Sequence, residues 1–175
     1  MVSTAPSSSC TLPRPLSVKE SRFYLYTLLL VVGNIALPAL CHIVPGGGPM
    51  LLPIYFFTLI AGYRFGWAAG LATAILSPLA NNLLTGMPPA SMMSVILVKS
   101  VLLALFASTA SRLFGLSFHG VALAVLGYQV TGGIFEWFLT RSSVEPLADF
   151  QIGLPGILFQ LIGGYGLLRL LNRRD

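Results

Sequence analysis

The chain has 175 residues, 55% of them hydrophobic and 9% charged, with a net charge of +5 and a mean hydropathy of +0.85. Soluble domains carry about 25% charged residues, and a chain this short has no interior large enough to hide so much apolar surface. A soluble enzyme or carrier is therefore excluded, and an integral membrane protein is expected. The basic residues stand singly between apolar runs, a pattern of membrane topology signals and not of nucleic-acid contact.

Residues 1–18 are rich in Ser and Pro and are expected to be a disordered tail, followed by a single transmembrane domain over 19–175. The tail has no basic leader before an early apolar core, so it does not read as a signal peptide. Six apolar stretches follow, at residues 23–41, 50–63, 65–84, 90–114, 118–140 and 154–171. Each is near the roughly 20 residues that cross a bilayer as a helix. The second is short and follows "PGGGP", which predicts a broken or tilted span. The fold class is thus an all-α membrane protein with six transmembrane helices. Cys10 and Cys41 have no metal-ligand spacing and predict no disulfide, and no cofactor or metal is expected.

Charge orients the spans. With the N-terminus inside, Arg14, Lys19, Arg22, Arg64, Arg112, Arg169, Arg173 and Arg174 fall on the cytoplasmic side. Arg141 alone falls outside, beside Glu145 and Asp149. This distribution predicts a multi-pass protein of the cell membrane with both termini in the cytoplasm. His42 and His119 then become solvated end residues, and Pro78 is expected to kink the third span.

The polar residues within the spans fall in the outer half to the middle of the membrane. Asn81 and Asn82 close the third span, Lys99 is roughly 13 Å deep in the fourth at 1.5 Å per residue, and Glu136 is one turn inside the fifth. Gln129 lies two turns deeper than Glu136, and Gln160 two turns into the sixth span. Gln129, Gly132, Gly133 and Glu136 share one helical face, with Tyr128 and Trp137 nearby as apolar or stacking surface. These eight residues, Asn81, Asn82, Lys99, Tyr128, Gln129, Glu136, Trp137 and Gln160, are the candidate substrate contacts. Ionisable groups in a span mark function because their desolvation must be compensated. A buried ammonium at Lys99 calls for an anion such as a carboxylate or phosphate. Lys99 and Glu136 could equally form a structural pair, and the glycine stripes could serve helix packing alone.

The stretch "LLPIYFFTLIAGYRFGWAAGLATAILSPLANNLLTGMPPASMMSVILVKS" resembles the substrate-binding S components of energy-coupling factor (ECF) transporters. The likeness rests on "LPI", the Gly-rich turn "AGYRFGWAAG" and "LSPLANNLLTGMPP" in this order. It implies a six-helix vitamin-binding subunit that takes a small molecule from the outer side. It also implies a transmembrane T component and two cytoplasmic ATPases as partners, since this chain has no Walker motif. The family's Ala-xxx-Ala docking motif on the first span is replaced here by Gly33, Ala36 and Ala39 at intervals of three, which the resemblance casts as the partner-docking face. Related members carry a glutamate where Lys99 aligns, and that sign reversal changes the preferred substrate charge. A small membrane enzyme and a ligand-free assembly protein are the competing readings.

Overall fold

The computed structural model describes residues 15–43, 46–141 and 144–173, and these are helical throughout with no strand. Helix α1 is Ser21–Cys41, α2 Gly47–Leu51, α3 Phe56–Ile60, α4 Trp67–Thr85 and α5 Ala90–Phe114. They are followed by α6 Phe118–Thr140, α7 Val144–Ile152, α8 Leu154–Phe159 and α9 Tyr165–Asn172. A π turn at Gln160–Gly164 joins α8 to α9 into one rod.

Among the described residues, four helices are long and apolar enough to cross a membrane: Ser21–Cys41, Ala90–Phe114, Phe118–Thr140 and Leu154–Asn172. These are the features of a multi-pass membrane protein. The surface agrees. Leu25, Leu28, Leu29 and Val32 on α1, and Val130, Ile134 and Phe138 on α6, are exposed, while Asn34, Thr58, Ser77 and Gln160 are fully buried. Apolar outside and polar inside is the arrangement that lipid selects. Helix α4 has 19 residues but carries Thr73, Ser77, Asn81 and Asn82, and it is not among the four.

The chain segment 47–65 is broken, as its flanking glycines and prolines predict. Helix α2 ends at Leu52, a non-glycine residue in left-handed conformation (φ 46°). A 3-10 turn at Pro53–Tyr55, the five-residue α3 and a π turn at Ala61–Phe65 complete the segment. It forms the centre of the bundle: Tyr55, Leu59, Ile60 and Tyr63 are buried with Leu103, Val121, Val125, Tyr128 and Leu168. Around it α5 and α6 pack antiparallel at close range, with Gly127 facing Phe106 and Gly132 facing Lys99.

Two ends of the bundle can be told apart. At one, Leu16 N–H donates to the Phe65 carbonyl at 3.0 Å and Tyr63 Oη donates to the Gly115 carbonyl at 2.6 Å, beside the α5–α6 turn. Ser117 caps α6 there by accepting from Gly120 N–H at 3.1 Å. At the other end α4 closes at Gly86, whose φ of +72° supplies the left-handed cap. The first fourteen residues of the expected disordered tail lie outside the described residues. Within residues 15–18, Pro15 lies against Gly66 and Leu16 is hydrogen-bonded to Phe65. Helix α7 occupies the stretch between the fifth and sixth expected spans.

Candidate functional site

Helices α5, α6 and α7 assemble an ionic cluster near the α4–α5 end. Lys99 Nζ lies 2.6 Å from Glu136 Oε2 and 2.5 Å from Asp149 Oδ2. The side chains are 4%, 13% and 33% exposed in that order. The structure thus pairs Lys99 with Glu136, one of the two alternatives open from sequence. It adds Asp149, which the sequence reading placed outside beside Arg141 and did not count among the candidates. Glycine makes the approach possible: a Cβ at Gly132 would come within 2.5 Å of Lys99 Cγ. The lysine stem therefore lies flat across α6, with its ammonium one turn on at Glu136. The anion that Lys99 calls for is supplied by the chain itself, twice.

Gln129 lies one turn below Gly132 on the same face of α6. It is buried, and its Oε1 has no hydrogen-bond partner among the described residues. Tyr128 and Gln160 form a separate network. Tyr128 Oη donates to Gln160 Oε1 at 3.2 Å, and Gln160 Nε2 donates to the Leu52 carbonyl at 3.5 Å. The Tyr55 ring packs on Tyr128 with centroids 5.3 Å apart. Gln160 therefore serves the break in segment 47–65, adding a second donor to the Leu52 carbonyl, which also accepts from Tyr55 N–H at 3.2 Å. Gly156 supports the same break, since a Cβ there would meet the Leu51 carbonyl carbon at 2.5 Å.

The asparagines do different work. Asn82 Nδ2 donates to the Pro88 carbonyl at 2.7 Å and closes the α4–α5 turn. Asn81 is buried and its Oδ1 accepts from Thr85 Oγ1 at 3.3 Å. It also lines an open cleft of about 300 Å³ with Pro38, Ala39, His42, Thr85 and Met87. Trp137 is half-exposed and packs on its neighbour Phe138. The eight candidates thus fall into an ionic face with Gln129 beside it, a break-supporting pair, a turn-closing Asn82, Asn81 in an end cleft and an outward tryptophan. Of the three residues cast as a docking face, Gly33 is covered by the Phe57 ring, whose atoms a Cβ would meet at 2.8 Å. Ala36 and Ala39 are exposed.

Asn34 is a buried polar residue that the sequence reading did not single out. Asn34 donates through Nδ2 to Thr58 Oγ1 at 3.0 Å and Ser77 Oγ at 3.1 Å, and its Oδ1 accepts from Phe57 N–H at 3.0 Å. It ties α1, α3 and α4 together in the bundle interior. The signal was present as a lone amide in an otherwise apolar helix.

A scan against protein-family models finds no match for this chain, and neither the curated proteins nor the solved structures yield one.

Proposed function

We propose that this chain is a membrane-embedded substrate-binding subunit of an ECF-type importer. In this reading it crosses the cell membrane six times with both termini in the cytoplasm. It takes a small vitamin-like molecule from the outer side and depends on a T component and two ATPase subunits to complete uptake. The observation that carries the proposal is the buried ionic cluster of Lys99, Glu136 and Asp149 near one end of an apolar bundle. Charged groups at such depth are costly and mark ligand or ion paths in membrane proteins.

Two further features support it. Lys19, Arg22, Arg64, Arg112, Arg169 and Arg173 belong to the end of the bundle opposite the cluster, while Arg141 follows α6 on the cluster side. By the positive-inside rule the cluster then faces outward. The break at Leu52, supported by Gln160, is of the kind found where transporters build binding sites from interrupted helices. The test is affinity purification of the tagged chain co-expressed with T and ATPase subunits from the same cell, with native mass spectrometry of the eluate. Capture of those subunits together with a bound small molecule is expected. Capture of neither refutes the proposal, and partners without a small molecule favour an assembly role.

A further inference from the structure

We infer that the Lys99–Glu136–Asp149 cluster recognises an organic cation bearing N–H donors, such as a protonated amine or amidine; this rests on the proposed role in substrate capture. Lys99 taken alone favours an anion, but its ammonium is already held between two carboxylates. One ammonium against two carboxylates leaves the cluster with a formal charge of about −1. An anion would add to that charge in a poorly solvated site, whereas a cation neutralises it.

Accessibility points the same way. Exposure rises from 4% at Lys99 through 13% at Glu136 to 33% at Asp149, so an arriving molecule meets carboxylate before ammonium. Acceptors are also in surplus. Each carboxylate gives one oxygen to Lys99, and the other oxygen has no hydrogen bond among the described residues. Gln129, 6% exposed and on the same face of α6, keeps a buried Oε1 without a partner. An unpaired buried acceptor costs free energy that a ligand donor would return. A metal ion is the poorer occupant, because among the described residues no three His, Cys, Asp or Glu side chains gather to hold one.

The test uses the full chain in lipid nanodiscs and three isosteric probes: benzamidinium, neutral benzamide and benzoate. Isothermal titration is expected to show benzamidinium binding at least about tenfold more tightly than the other two. Asp149→Asn and Glu136→Gln should each weaken that binding by about tenfold or more, with circular dichroism confirming the fold of each variant. Preference for benzoate, no binding of benzamidinium, or unchanged affinity in folded Asp149→Asn overturns the inference. Partner capture is read separately. A chain that assembles with T and ATPase subunits yet prefers benzoate loses the cation assignment and keeps the transport reading. A chain that binds benzamidinium through Asp149 but captures no partner does the reverse.

Discussion

Replacing Lys99 with methionine keeps the stem that crosses Gly132 and removes only the charge. Both carboxylates have an oxygen within 2.6 Å of Lys99 Nζ, so without the ammonium two negative oxygens lie at most about 5 Å apart. With an effective dielectric of about 20, that repulsion is about 3 kcal/mol, in line with the roughly 3–5 kcal/mol cost of removing one partner from a buried ion pair. Asp149 is a third exposed, so Asp149→Asn in the native chain should cost only about 1 kcal/mol or less. In the Lys99→Met background the sign reverses: Asp149→Asn removes the repulsion and should restore about 2–3 kcal/mol. Equilibrium unfolding in mixed detergent micelles, read by circular dichroism over the four-member cycle, measures this directly. Additive effects, or a further loss in the double variant, would refute electrostatic coupling within the cluster.

Gly156→Ala places a methyl against the Leu51 and Met50 carbonyls, and should lower stability by about 1–3 kcal/mol. Gly166→Ala meets nothing within 4 Å and should be neutral or stabilising by up to about 1 kcal/mol, both read by thermal unfolding. Asn34→Ala removes three hydrogen bonds between helices and should cost about 2–4 kcal/mol in the same assay. Tyr128→Phe loses the bond to Gln160 alone, a cost of about 1 kcal/mol. In a cysteine-free background, single cysteines at Arg141 and Arg112 should react with a membrane-impermeant maleimide from opposite faces, outside for Arg141; labelling of both from one face would overturn the proposed topology.

The long uninterrupted helices were the most legible part of the sequence. Helices α5 and α6 start and stop at the expected residues because Pro89, Gly115 and Ser117 punctuate two continuous apolar runs. Segment 47–65 could be read as broken from its glycines and prolines. Its division into short pieces could not, because Gln160, 108 residues away, adds a second donor to the Leu52 carbonyl and Gly156 packs beneath Leu51. Asp149 was misplaced for a similar reason. An acidic residue in a short polar stretch looks like a loop charge until its cation, 50 residues earlier, is known. Lys99 and Glu136 were legible because ions within apolar spans stand out at any register. Asn81 and Asn82 stood out equally, but composition alone could not separate Asn82, which closes a turn, from Asn81, which lines a cleft.

The break at Leu52 also bears on the order in which the bundle can be built. Segment 47–65 leaves a translocation site long before residues 154–172 exist, yet its turn is completed by Gly156 beneath Leu51 and Gln160 on the Leu52 carbonyl. Until the last rod inserts, that carbonyl accepts only from Tyr55 N–H at 3.2 Å and lacks the Gln160 donor, and under-satisfied backbone is poorly tolerated in hydrocarbon. The central segment is thus laid down early and finished last, with the C-terminal rod acting as the closing piece of the bundle.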